Sequence, residues 1–371
     1  MAKQRIEYID AMRGLTMILV VFSHVCNFCL GDKWMGYNDV FFLFRMPCFF
    51  FISGWLFAQP DRQWNSTSVR TTVVHKFRVQ IIPTFIFLLL LAPPPLFFTR
   101  LGALKGGYWF TFALFEFFLL CIFSERYLKK WGALFALAIS VLAFCYDVYY
   151  NRYFSSMGLV TKVLGFLGFM TWRYYLFFFI GTWVKCHFDT FVRLTKKPLL
   201  MVVIALGFIG VALIPSSDDV FLMYLIFAFG GLFGLILVFT FFRSFADVFT
   251  KQQLLGRSLQ YVGTRTLDIY LLHYFVLPRF LQPFGEQLRN YGSKPLEFLV
   301  SISIALVIVI ICLLISYIIR LNPFFGHWLF GVKYEKRSRR CASSSFPCGP
   351  GRARRPSAEF RRASPPRRPS S

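Results

Sequence analysis

Charge is scarce in this sequence and acidic charge is scarcest: 16% of residues are charged, with 17 Asp and Glu against 41 Lys and Arg. Soluble domains carry about 25% charged residues, so a chain this poor in charge cannot be water-facing throughout. No P-loop, HExxH or GxSxG occurs, which removes the usual sequence support for ATP-driven transport, zinc proteolysis and α/β-hydrolase chemistry. No repeat of fixed period and no clear symmetry between halves is visible, in contrast to transporters built from internal repeats. No small-residue cleavage site follows the first apolar run, so a cleavable signal peptide is not expected. The nine cysteines are odd in number, and Cys26 and Cys29, with two residues between them, have no second pair to complete a metal or disulfide set. No metal and no tightly bound cofactor is expected.

Apolar and aromatic residues are abundant. The chain is 57% hydrophobic with 49 Phe, and its mean hydropathy is +0.57. In hydrocarbon each backbone polar group must be paired within the segment, so repeated apolar runs predict an all-α polytopic membrane bundle. Runs at 9–29, 40–58, 80–98, 108–123, 131–146, 173–186, 198–214, 220–241, 260–280 and 296–320 correspond to about ten transmembrane helices. Alternate loops differ in basic charge. One set holds Lys3, Arg5, Arg62, Arg70, Lys76, Arg78, Arg126, Lys129 and Lys130 with others, and the opposite set is sparse, with Lys33, Arg100, Lys105, Arg152, Lys162, Arg289 and Lys294. The basic set marks the cytoplasmic side, which puts both termini there and predicts a multi-pass protein of the cell (inner or plasma) membrane. The excess of positive charge fits cytoplasmic loops and anionic headgroups, and no nucleic-acid partner is expected. The stretch 147–171 reads as an amphipathic or re-entrant segment over an outer vestibule. Residues 1–335 form the transmembrane domain. The Arg-, Pro- and Ser-rich stretch 336–371 has too few aliphatic side chains for a core and is expected to be disordered.

The first apolar run, DAMRGLTMILVVFSHV, carries Arg13 and His24. An ionisable group at bilayer depth costs at least about 2.5 kcal/mol, which makes it a functional candidate by default. Eleven residues bring the second side chain to within about 20° of the first and roughly 16 Å further along the axis. Arg13 then lies near one membrane surface and His24 well inside, with Thr16 and Asn27 close to the same face. Asp10 is three residues before Arg13, the spacing of a helical ion pair. Imidazole is the side chain suited to proton exchange near neutral pH, so His24 is the first catalytic candidate, as a general base or as a nucleophile that transiently accepts the transferred group. A polar packing cluster, with Arg13 reaching toward headgroups, is the competing reading.

Further candidates follow along the chain. NDVFFLFRMPCFFFISGWLF places Arg45 inside the second run beside the helix-bending Pro47, and Ser53 and Gly54 form a small polar notch suited equally to packing and to binding. YVGTRTLDIYLLHYFVL carries Asp268 and His273, about 140° apart on a helix, so each needs a partner from another segment. Glu116 and Arg173 are further intramembrane charges, for which an ion pair is the competing explanation. Arg70, His75, Lys76 and Arg78 cluster in the first basic loop, a composition suited to phosphate groups.

Taken together, these segments resemble the acyltransferase-3 family of integral membrane acyltransferases. Arg13 and His24 match its arginine-ten-residues-histidine signature, and FRMPCFFFISGWLF its Phe-rich second span ending in Ser-Gly, here Ser53 and Gly54. GYWFTFALFEFF, RYYLFFFIGTWV and GTRTLDIYLLH resemble later spans, over about residues 6–325. The family's dibasic pattern before the loop proline is absent; Phe77 and Gln80 stand there, with Lys76 and Arg78 nearby.

The resemblance implies a ten-helix enzyme that takes an acyl group, by default acetyl, from cytoplasmic acyl-CoA as donor substrate. It implies transfer to a hydroxyl of a carbohydrate or cell-envelope glycan at the outer side of the membrane. Arg13 and His24 inherit the essential roles, and Arg45, Asp268 and His273 are candidates for orienting His24 or the acceptor. The alternative is a transporter or flippase that uses the same charges as a substrate pathway, without covalent chemistry.

Overall fold

A computed structural model describes residues 6–31, 36–59, 62–91, 107–153, 159–214 and 219–332. The basic tail expected from residue 336 lies outside them. The described residues form helices joined by turns, with no strand among them. In the first half these are α1 (Glu7–His24), α2 (Gly36–Phe57), α3 (Ser66–Lys76), α4 (Ile82–Leu91), α5 (Trp109–Phe123), α6 (Gly132–Tyr153) and α7 (Leu159–Leu167). There follow α8 (Tyr175–Cys186), α9 (Phe188–Thr195), α10 (Pro198–Leu213), α11 (Val220–Ser244), α12 (Leu254–Thr264), α13 (Thr266–Val276), α14 (Gln282–Asn290), α15 (Lys294–Leu321) and α16 (Pro323–Phe330).

Six helical runs are long and apolar enough to cross a membrane, and a seventh if the bent pair α9–α10 is one span. The chain is therefore a multi-pass membrane protein. The sequence segmentation into about ten spans and the helices differ where polar residues interrupt an apolar run. Segments 108–123 and 131–146 lie in one 41-residue stretch, Trp109–Tyr149, interrupted between α5 and α6 by turns in which Lys129 has φ 42°. Segment 260–280 is broken at Arg265 between α12 and α13. Segment 173–186 is a 12-residue helix preceded by a tight 3₁₀ turn.

Burial ranks the spans. The α1 run Glu7–Cys29 is 83% enclosed by protein and Asp39–Phe57 of α2 72%, against 28% for Lys294–Leu321. α15 thus turns Leu306, Ile310, Leu314 and Ile318 outward, where lipid satisfies apolar side chains. α1, with α2, α12, α13 and α15 packed around it, is an interior helix, and its ionisable side chains face protein.

Close packing at the centre relies on glycine. A Cβ on Gly14 of α1 would overlap the Leu259 carbonyl of α12, and one on Gly263 would overlap the Asp10 carbonyl. Gly54 of α2 and Gly181 of α8 form an equivalent reciprocal pair, against the carbonyls of Phe178 and Phe51. Apolar surface gains little from association in lipid, so such close backbone approach, with its dispersion contacts, is how membrane helices associate.

Candidate active site

α1 delivers His24 to its last turn and then changes pitch into a π-helical turn, Val25–Cys29. π-turns occur often at functional sites because they redirect side chains. Here the turn exposes Phe28, whose ring stacks on the His24 imidazole at 5.4 Å and 16°. On the other side α13 supplies His273 and Tyr274, with ring centroids 5.1 and 5.2 Å from His24. The five-residue geometry that separated Asp268 from His273 on α13 holds: His273 faces α1 and Asp268 faces α15.

The polar atoms define a proton inventory. The Tyr274 hydroxyl lies 3.4 Å from His24 Nε2 and 3.3 Å from the Gly107 carbonyl. A carbonyl only accepts, so Tyr274 can donate to Gly107 while its oxygen accepts from His24 Nε2–H. Gly107 has φ 101°, and a Cβ there would overlap the Tyr274 ring, so glycine sets this close approach. Tyr270 also donates to Gly107, at 3.0 Å, and Tyr108 donates to the Leu271 carbonyl at 2.8 Å. The segment before α5 is thus tied to α13 by three tyrosines. His273 Nδ1 donates to Ile269 O at 3.1 Å, since a carbonyl only accepts. His24 Nδ1 and His273 Nε2 are buried and have no protein hydrogen-bond partner.

Arg45 joins this group from α2. It is buried, stacks over Phe42 at 4.8 Å, and lies within electrostatic range of His24, Tyr274 and Cys26. Its Nη1 has no protein partner. A buried guanidinium is costly unless something anionic or polar meets it, so Arg45 supplies positive potential beside the two imidazoles.

Arg13 stands at the other end of α1, half-buried. It lies within electrostatic range of Lys76, which is also in range of Arg62. Lys76 Nζ sits 4.0 Å over the Phe118 ring. The loop cations expected together are divided. Lys76 turns inward toward Arg13, whereas Arg70, His75 and Arg78 line a surface cavity of about 660 Å³ with Ser66, Thr67 and Thr71. A second cavity of about 660 Å³ is lined by Arg62, Trp64, Arg126 and Lys129, with Glu125 and others. Lys129 is the one described non-glycine residue with positive φ, and backbone strain of this kind concentrates at functional sites. This end of the bundle is a basic surface leading to Arg13.

The remaining sequence candidates lie elsewhere. Asp268 receives both Nε and Nη2 of Arg320, at 2.8 and 2.9 Å, and the Ser316 hydroxyl, so its carboxylate is committed to α15. Ser53 Oγ donates to Phe49 O of its own helix at 2.8 Å, and Gly54 is the packing glycine against Phe178. Both positions of that notch therefore take part in contacts within and between helices. Asp10 is buried where α12 crosses α1. Arg173 pairs with Asp147 from the stretch read as an outer re-entrant segment, and Glu116 accepts from Trp172 Nε1 at 2.7 Å.

Sequence reasoning missed Tyr274, Arg320 and Phe28. Tyr274 carried one signal, adjacency to His273. Arg320 closes the last apolar run and has the look of an interfacial basic residue. Phe28 is one of 49 Phe, and nothing marks it before the π-turn is seen.

A family model described as an acyltransferase domain matches residues 6–321, which include every member of the two clusters above. No curated protein and no solved structure matches the chain.

Proposed function

The chain belongs to the acyltransferase-3 family of membrane acyltransferases, and from that premise we propose that it transfers an acyl group from acyl-CoA to a carbohydrate hydroxyl, with His24 as general base. Acetyl is the default acyl group and a cell-envelope glycan the default acceptor. The observation that carries this reading is the pair of clusters at the two ends of one enclosed helix: cations at Arg13 and a proton-transfer group at His24.

In this reading the basic end faces the cytoplasm, as the distribution of Lys and Arg among the loops suggests. Arg13, Lys76 and Arg62 hold the phosphates of the donor, because several cations brought together attract a polyanion. The acyl-pantetheine arm extends along α1 toward His24. Tyr274 anchors Nε2–H and leaves Nδ1 as the base. Nδ1 takes the proton of the acceptor hydroxyl as its oxygen attacks the thioester carbonyl carbon. Negative charge gathers on the carbonyl oxygen and is met by Arg45, whose Nη1 is free to donate. The C–S bond then breaks, the proton on Nδ1 passes to the CoA sulfur, and ester and free thiol are the products. His273, lying against His24, keeps the imidazole oriented.

The test uses purified protein in nanodiscs with acetyl-CoA and a glycan acceptor, following free thiol. Thiol release should require the acceptor and should be lost in His24→Ala, with that variant still folded and inserted. Full turnover by His24→Ala, or acceptor movement across the bilayer with no thiol release, would overturn the assignment.

A further inference from the structure

The end of α1 beyond His24 is assembled as a mouth. The backbone of the π-turn is clasped by the segment after α13. Gln282 Nε2 donates to Phe28 O at 3.3 Å, and Arg289 Nη1 donates to Leu30 O at 2.7 Å. Gly285 lies so close to the Leu30 carbonyl that a Cβ there would overlap it. These three attachments come from α14 and hold the preceding 3₁₀ turn, Arg279–Leu281, in place.

That turn presents Arg279. Its guanidinium lies 6.0 Å from the centroid of Phe28, the ring that stacks on His24. It also lies within electrostatic range of Tyr274 and Cys29. Arg279 is exposed, and no carboxylate pairs with it among the described residues. Among the described residues, Arg289, which holds the same π-turn, is already engaged on Leu30 O. Among the described residues, the mouth therefore offers an uncommitted guanidinium, Arg279, beside an exposed aromatic face. Two ring contacts, 5.4 and 6.0 Å long, link it to the proposed base.

An aromatic ring next to a planar, multidentate cation is suited to a ring-shaped polar molecule that carries an anion. The ring packs on the aromatic face, and carboxylate or phosphate oxygens take the guanidinium N–H groups in pairs. We propose that the acceptor is an anionic sugar, a glycan ring bearing a carboxylate or phosphate close to the acylated hydroxyl, and that Arg279 with Phe28 selects it. This rests on the acyltransferase reading and deepens it by naming the acceptor class. Arg279 binds and places the acceptor; the proton transfer stays with His24.

The test compares three matched oligosaccharide probes on nanodisc-embedded protein: a glucoside, a glucuronide, and a glucoside 6-phosphate. Binding is measured directly, and thiol release from acetyl-CoA is measured separately. Wild type should bind at least one anionic probe more tightly than the neutral one, and which of the two identifies the anion. Arg279→Gln should weaken that probe by about 10- to 100-fold, the range of a charge-assisted hydrogen bond, with the KM for acetyl-CoA unchanged and the neutral probe unaffected. Arg279→Lys should recover part of the binding, because it restores charge without the fork. Equal binding of all three probes by wild type, or equal loss on neutral and anionic probes in Arg279→Gln, would overturn the proposal. An anionic preference that depends on Arg279 without any thiol release would instead leave the binding site standing and remove the transferase reading.

Discussion

The Asp268–Arg320 pair separates two roles for a buried carboxylate. Asp268 was a candidate for orienting His24, yet its side chain is 2% exposed and joined to Arg320, itself 25% exposed. Removing one partner of a fully buried pair costs about 3–5 kcal/mol, because the other charge is stranded. The two partners are not stranded equally. Arg320 sits in the last turn of α15, so after Asp268→Ala its long stem can carry the charge to the interface, and the loss should be about 2 kcal/mol. Arg320→Ala leaves Asp268 with the Ser316 hydroxyl and the charge of Arg265 within electrostatic range, and the loss should reach about 3 kcal/mol. The double variant should cost no more than Arg320→Ala, since the second change removes a charge already unpaired. Reversible unfolding in bicelles gives the free energies, and thiol release per folded molecule gives the chemistry, which should remain near wild type in all three. Additive losses, or turnover that collapses in Asp268→Ala at unchanged stability, would refute the structural assignment and return Asp268 to the catalytic group.

Other expectations follow from the same contacts. Tyr274→Phe removes the acceptor of His24 Nε2–H and should lower kcat about 10-fold, the worth of one hydrogen bond to a group that becomes charged, with the KM for acyl-CoA unchanged; an equal rise in that KM would argue for a donor contact instead. Gly54→Ala should reduce folded yield and thermal stability, because its Cβ overlaps the Phe178 carbonyl, and a variant that folds normally but binds acceptor poorly would restore the substrate reading of the notch. Lys76→Gln should raise the KM for acyl-CoA several-fold and flatten its dependence on ionic strength, as expected when a phosphate contact is lost; a change confined to acceptor KM would contradict it.

How much of the site was legible depended on whether its parts share a helix. Arg13 and His24 do, so their spacing alone put them on one face and at two depths. His273 and Arg45 were identified as ionisable groups inside apolar runs and, with Asp268, as candidates for orienting His24 or the acceptor; which of the three meets His24 was not legible, because periodicity gives the direction of a side chain within its own helix and nothing about the helix opposite. Ser53 and Gly54 were ambiguous for the same reason: a small residue admits a ligand or a backbone, and only the position of α8 decides between them. Arg320 was passed over because a basic residue at the end of an apolar run is explained by the interface until its carboxylate partner is located.

The sequence by itself determined that this is a helical multi-pass membrane protein with Arg13 and His24 on one helix. Apolar length and the need to pair every backbone group in hydrocarbon leave few alternatives to that. Tertiary structure alone decided that α1 is interior, that Tyr274 and His273 meet His24 from α13, that Arg279 stands over Phe28, and that Asp268 belongs to Arg320. Those choices follow from which helix backbones approach closely at Gly14, Gly54, Gly181 and Gly263, and from where the π-turn redirects the chain. Both depend on contacts between residues far apart in sequence, whose energies exist only once the helices have packed.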